Sequence, residues 1–265
     1  MDEKIEVKIL KTIAKKIFKH VGYQISISKY NEKYNNLPVE LNSYECELIK
    51  FVYENQFTMT SIPRLVNTLK SCKYVVENNI PGDFVECGVW RGGNGILARK
   101  YFDHVGSKKK VWMFDTFEGM TEPTIHDKKH GHNILANIKY YKSLNKNYVD
   151  WCYASLEDVK NNCIKSNINL DDVRFVKGDI CKVLLSKKNL PARISVLRLD
   201  TDFYESTKSE LETLYPLLSK TGVLIIDDYG GWEGSKKACD EYFIKKKEKI
   251  FLQVIDRTGR SGIKL

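Results

Sequence analysis

The sequence predicts an α/β fold: a mostly parallel sheet of seven strands with helices on both faces, an N-terminal helical appendage and a lid insertion. Two observations lead there. From residue 83 onward, short apolar β-branched runs alternate with longer amphipathic stretches, the pattern of right-handed βαβ units. Two of these runs, Ile194–Leu199 and Gly222–Ile226, stop abruptly on carboxylates, at Asp200-Thr201-Asp202 and at Asp227-Asp228. Buried parallel strands have that apolar character, and open α/β sheets bind ligands just outside the carboxyl ends of their strands. With 265 residues the chain is long enough for one such domain and an appendage.

The elements follow in order. Over residues 4–21, Ile5, Ile9, Leu10, Ile13, Ile17, Phe18 and Val21 form one helical stripe, with Lys4, Lys8, Lys11, Lys15 and Lys19 opposite. Such a basic helix has three destinations: an anionic membrane surface, its own domain, or a second copy in a homo-oligomer. Residues 22–45 are polar and loop-like, and 46–79 read as helix, broken near Thr58–Pro63 and resuming from Arg64 to Glu77. The appendage is therefore drawn as 1–56 and the main domain as 57–265. Strands are expected at 83–87, 111–115, 173–177, 194–199, 222–226 and 250–255, with helices at 93–103, 155–167, 205–218 and 234–248. Gly262–Leu265 adds an edge strand. Residues 116–150 carry little apolar periodicity, and insertions of that length are often active-site lids.

Composition narrows the function. The net charge of +9 is mostly lysine, gathered in the first twenty residues, at 108–110 and at 245–247. No aromatic-interleaved basic stretch accompanies it, so solvated helix faces account for the charge and no nucleic-acid partner is expected. Seven scattered cysteines without a CxxC favour reduced thiols in a cytoplasm. No apolar run reaches the roughly 20 residues that span a bilayer, and the charged N-terminus does not read as a secretory signal.

The segment Asp83–Gly95 reads as strand, glycine-rich turn and helix start. Trp90 stands where a dinucleotide fingerprint needs glycine, and no GK[ST] ending marks a P-loop. Gly88 and Gly92 let the backbone approach a ligand. Glu86 at the strand end would repel a pyrophosphate and attract an amino-acid ammonium, such as S-adenosylmethionine carries. Asp115 ends the next strand, where an acid can accept from ribose hydroxyls, and Asp179 ends a third, within reach of an adenine amino group. Four aspartates converging at 200, 202, 227 and 228 repel one another strongly, and a divalent cation is their natural counterion. Asp200 and Asp202, two apart in extended backbone, face one side, so one can hold metal while the other takes a proton. His126, His130 and His132 lack the fourth ligand of a structural zinc site and read instead as lid side chains contacting substrate. Tyr204 and Trp232, beside the acidic motifs, are the aromatic residues placed to stack on an acceptor, ahead of Trp151 and Tyr229.

ECGVWRGG (86–93), FDTFEGM (114–120), LRLDTDFYEST (197–207), LYP (214–216) and GVLIIDDYGGWEGSKKACDEYF (222–243) together resemble the macrocin O-methyltransferase family, over about residues 57–256. That resemblance implies a class I methyltransferase, Rossmann-like fold with S-adenosylmethionine as donor and Mg²⁺ at the acceptor site. It implies Asp200, Asp227 and Asp228 as metal ligands and Asp202 as general base. Glu86, Gly88 and Asp115 would line the donor pocket, with Thr60 and Ser61 closing over it. Thr121 departs from the family, which commonly has proline there. The function so implied is methyl transfer to a sugar hydroxyl of a glycan or glycosylated metabolite. The alternatives are transfer to a catechol-like phenol, separable by assay on catechols against nucleotide sugars, and a non-catalytic nucleic-acid-binding relative, which would show salt-dependent RNA binding without methyl transfer.

Overall fold

The computed structural model describes residues 37–132 and 134–265. The helix expected over 4–21 lies outside the described residues, together with the membrane-surface and self-association roles attached to it. Met1–Asn42 and Ser43–Leu265 are separate units, and the sheet belongs to the second. Helix α1 (Ser43–Glu54), which the sequence grouped with the appendage, is part of the sheet's unit because Leu48, Ile49 and Val52 are buried there. Its Tyr44 also stacks on His104 and donates to the Lys100 carbonyl.

Seven strands form one sheet: β1 (Asp83–Cys87), β2 (Val111–Asp115), β3 (Val173–Lys177), β4 (Ile194–Leu199), β5 (Leu218–Ile226), β6 (Gln253–Val254) and β7 (Arg260–Ile263). Their order is β3-β2-β1-β4-β5-β7-β6, with β7 antiparallel to both neighbours and the first five parallel. The chain reverses direction across the sheet between β1 and β4, which is the switch point where α/β sheets open a crevice. Helices α2 (Ile62–Glu77) and α3 (Gly93–His104) pack on one face. Helices α6 (Ile180–Val183), α7 (Tyr204–Thr213) and α8 (Glu233–Lys246) cover the other, over Val85, Cys87, Leu197, Leu199, Leu224 and Ile226. Alternation along the strands leaves Glu86 and Arg198 on the α2–α3 face.

Three of the departures from expectation have a plain physical reason. The C-terminal strand is not at the edge: Asp256 accepts from the Thr258 and Gly259 amides, closing a tight hairpin that returns β7 between β5 and β6. The strand expected over 250–255 shrinks to two residues, Gln253 and Val254, the only ones of that stretch that pair with β7, and Phe251 stands exposed outside it. The helix expected to 218 ends at Thr213, because Pro216 cannot continue it, and Tyr215–Leu217 forms a 3-10 turn. Within 116–150 the chain builds a short helix α4 (Ala136–Lys142) ahead of α5 (Leu156–Lys165). A small cluster of Ala136, Val149, Trp151 and Phe203 anchors that insertion. Among the described residues no helix is long and apolar enough to cross a membrane.

Candidate active site

The sheet register assembles the site. Cys87 pairs with Leu199, Leu199 with Ile226, and Cys87 with Phe114. The residues that follow extend the ladder by one bond each: Asp200 N donates to Cys87 O, Asp227 N to Leu199 O and Gly88 N to Phe114 O. Gly88, Asp200 and Asp227 therefore form one row along the carboxyl edge, with Asp115 beside them. The cleft above this row is lined by Met59, Thr60, Arg64, Gly88, Trp90, Asp115, Gly178 and Ile180, and by Asp200, Asp202, Asp227 and Asp228.

One oxygen from each of Asp200, Asp227 and Asp228 lies within 4.8 Å of the others, the one group among the described residues with such potential ligands. Two arginines that the sequence reading assigned no role hold this cluster. Arg198 sits one residue before the end of β4, fully buried, directly across the register from Glu86. Its Nη1 donates to Glu86 at 2.9 Å and Asp200 at 2.6 Å, and its Nη2 to Asp227 and, at 3.3 Å, to Thr60. Arg64 on α2 donates to the second oxygen of Asp227 and, through Nε, to Asp256 at 2.8 Å. A cation inside an otherwise apolar strand must find anionic partners. That requirement is the sequence signal that marks Arg198.

Burial dominates the electrostatics. It pushes Asp202 up to about 7, repulsion from Asp200 adding to the rise and the Trp232 hydrogen bond opposing it. Burial also lifts Asp227 to about 7 against the pull of Arg198 and Arg64, and raises Asp228 well above the carboxylate range with Asp202 and Asp200 adding repulsion. Glu86 reaches about 8 by burial, despite Arg198. The row thus carries more acid than two arginines neutralise.

The backbone turns as the site needs. Gly88 has φ +81°, and a Cβ there would overlap the Asp200 carbonyl. Asp202 also lies in the left-handed region, at φ +65°. The expectation that Asp200 and Asp202 share a side through extended alternation is therefore corrected: β4 ends at Leu199, and the turn carries both into the cleft. Asp202 N donates to Asp228 at 3.2 Å, and Thr201 donates to the buried Glu210 at 2.9 Å.

The remaining expected residues divide. Thr60, Gly88 and Asp115 line the cleft. Both oxygens of Asp115 already accept backbone amides, from Val89, Trp90 and Phe117 at 2.8–3.1 Å, so this acid shapes the glycine-rich loop. Glu86 does not line the cleft, because Arg198 holds it beneath the floor. Ser61 donates to Asp256 at 2.8 Å, Gly92 starts α3 in the left-handed conformation at φ +86°, and Asp179 caps α6 through the Cys181 amide at 3.0 Å. None of those three lines the cleft. Nor do the histidines: His126 packs on the Tyr204 ring at 4.8 Å, and the His130 amide donates to Gly231 O. Tyr204 bonds Glu241 at 2.6 Å, Tyr229 bonds Asp240 at 2.7 Å, and Trp232 packs with Trp151 and Phe203 beside Asp202.

The residues present fit two groups. An all-oxygen set of clustered carboxylates suits a hard cation such as Mg²⁺. The glycine cradle at Gly88 and the neighbouring wall of Met59, Trp90 and Ile180 suit a partly apolar nucleoside-bearing donor.

Comparison with known proteins agrees with this geometry. Residues 24–261 match the model of the family described as macrocin-O-methyltransferase (TylF), so the match begins well upstream of the motifs legible by eye. Demethyldecarbamoylnovobiocin O-methyltransferase of Streptomyces niveus is 36% identical over 210 residues, 77% of this chain and 74% of that protein. Mycinamicin III 3''-O-methyltransferase of Micromonospora griseorubida is 34% identical over 207 residues, 76% of each. Among solved structures, the O-methyltransferase NovP aligns with a TM-score of 0.67 at 34% identity, over 78% of this chain and 81% of that one.

Proposed function

The chain belongs to the macrocin O-methyltransferase family, and on that premise we propose that it moves a methyl group from S-adenosylmethionine to a sugar hydroxyl in a Mg²⁺-dependent reaction. The observation that carries this reading is the convergence of Asp200, Asp227 and Asp228, with Asp202, in a cleft that Met59, Gly88, Trp90 and Ile180 also line. A relative from Streptomyces olivaceus, 36% identical over 177 residues and named as a 4'-O-methyltransferase of a dimethoxyrhamnosyl-tetracenomycin, supports a sugar acceptor.

A sugar hydroxyl is a poor nucleophile at neutral pH, so the reaction needs proton removal and alignment. Asp200, Asp227 and Asp228 would hold the metal, and Met59, Thr60, Gly88, Trp90 and Ile180 would hold the donor. When bound, the sulfonium donor supplies the electrophilic methyl, and Mg²⁺ acidifies an acceptor hydroxyl. Asp202 would take the hydroxyl proton as the acceptor oxygen gains the methyl group, which the donor would supply in leaving as a neutral thioether. A carboxyl near pH 7 is well matched to that task, since it is substantially ionised at neutrality and still basic enough to keep the proton. The cleft walls align the three reacting atoms.

Asp202→Asn tests the assignment. Turnover should fall by about 10²–10⁴-fold, the usual contribution of a general base, while calorimetry shows S-adenosylhomocysteine binding intact. Near-normal turnover in this variant removes Asp202 from the role.

A further inference from the structure

We propose that Asp127, a buried acid of the 116–150 insertion, is a positioning residue that sets the orientation of Asp202. This inference rests on the reading of Asp202 as general base. Asp127 is fully buried, and neither oxygen is idle. Oδ1 accepts the Tyr204 amide at 2.8 Å across seventy-seven residues of sequence, and Oδ2 accepts the Thr124 amide at 2.6 Å and hydroxyl at 2.8 Å. Helix α7 starts at Tyr204, and its own cap residue, Phe203, offers no side-chain oxygen. The first turn of the helix that follows Asp202 is therefore capped from the insertion.

The same segment is also fastened to the other acidic loop. Glu233 N donates to Lys128 O and His130 N to Gly231 O, each at 2.9 Å, and within the insertion Ala136 N donates to Asp127 O. Lys129 pairs with Trp232, which bonds Asp202. Gly234, in the first turn of α8, lies so close that a Cβ there would overlap Asp127 Oδ1. Asp127 thus joins the insertion to the turns that carry Asp202 and Asp228. Asp202 stands in the left-handed region, a conformation that neighbouring structure must impose. The Tyr204 amide, two residues on, is where the insertion imposes it. Asp127 does not line the donor cleft, so its effect is expected on the chemical step and not on donor binding.

The experiment compares Asp127→Ala, Asp127→Asn, Gly234→Ala, Asp202→Asn and the Asp127→Ala/Asp202→Asn double variant, each assayed for kcat, S-adenosylhomocysteine affinity and thermal midpoint. Asp127→Ala should lower kcat by about tenfold to a hundredfold, the size of effect that a misplaced group produces, with ligand affinity within about twofold of wild type. Asp127→Asn keeps an acceptor oxygen for Tyr204 and should recover most of the loss. Gly234→Ala should mimic Asp127→Ala by displacing the carboxylate without removing it, and it decides the matter if Asp127→Ala does not fold. Because Asp127 acts through Asp202, the double variant should be no slower than Asp202→Asn alone. Wild-type kcat in Asp127→Ala, an equal loss of ligand affinity, or additive losses in the double variant would each overturn the proposal. A near-normal Asp202→Asn enzyme refutes the base assignment itself, whatever the Asp127 variants do.

Discussion

Arg198 organises the acidic edge at the scale of single residues. It is the one charged side chain in a strand otherwise made of Ile, Ser, Val and Leu, and its guanidinium reaches Glu86, Asp200, Asp227 and Thr60 at once. Burial works against its charge, but Asp200, Asp227 and Glu86 outweigh burial and hold its pKa above the usual arginine value. Arg198→Met removes the cation and leaves the buried Glu86 without its ion-pair partner, while Asp227 keeps Arg64. The expected cost is about 3–5 kcal/mol, the penalty for breaking a buried pair from one side, read as a lowered urea midpoint with an unchanged slope. An unaltered midpoint would mean that protons or Arg64 already do this work. The same residue explains what the sequence hid. Asp200, Asp227 and Asp228 were legible because they terminate apolar runs, whereas Glu86 was read toward the ligand because nothing in one strand announces which residue lies opposite. Position at a strand end assigns Asp115 and Asp179 to the donor, but their oxygens go to backbone amides of the loop and of α6.

At the scale of elements, α7 does more than cross the sheet. It carries Glu210, fully buried, whose Oε1 accepts the Thr201 hydroxyl at 2.9 Å between Asp200 and Asp202. Burial pushes Glu210 up to about 8, with the Thr201 hydrogen bond opposing and Asp200 adding to the rise. The folded chain therefore holds a proton that the unfolded chain gives up near the ordinary glutamate value of 4.5. Its stabilising contribution is complete below that value and drains away as pH rises through about 8. Glu210→Gln keeps the Thr201 acceptor and cannot ionise, so it should gain stability over the wild type progressively between about pH 5 and 8. Parallel denaturation series at pH 5 and pH 8 check this; equal pH slopes in the two proteins would contradict it. The existence and type of α7 were plain in its sequence, and so were β1 to β4. Its end was not, because a 3-10 turn at Pro216 and the start of β5 share apolar residues with the helix pattern. The insertion was unreadable for the opposite reason: its anchoring cluster borrows Trp151 and Phe203 from outside it, so no local period records the contact.

At the scale of the whole molecule, a chain of net charge +9 opens a cleft whose floor is acidic. Alternation announces a parallel sheet and leaves its order open; the observed order places β1 and β4 side by side at the switch point, and the apolar runs ending there deliver their acids to one row. Gathering Asp200, Asp202, Asp227 and Asp228 in one place costs free energy that Arg64 and Arg198 offset only in part, and the raised values of Asp202, Asp227 and Asp228 record the remainder. Without a cation, protons make up the deficit. A divalent ion must then displace protons to bind, so its affinity should rise with pH through neutrality. Calorimetric titration with MgCl2 in two buffers of different ionisation heat measures the number released, and a positive number near pH 7 is expected. Binding to the folded chain alone should also raise the unfolding free energy, by about 2.7 kcal/mol when the ion is present at a hundred times its dissociation constant. Excess chelator should abolish methyl transfer while S-adenosylhomocysteine binding persists, because Met59, Trp90 and Ile180 line the cleft with side chains that offer a cation no carboxylate. Full turnover in chelator, or a titration without proton release, would mean that the arginines and protons already satisfy the acidic row and that no metal belongs there.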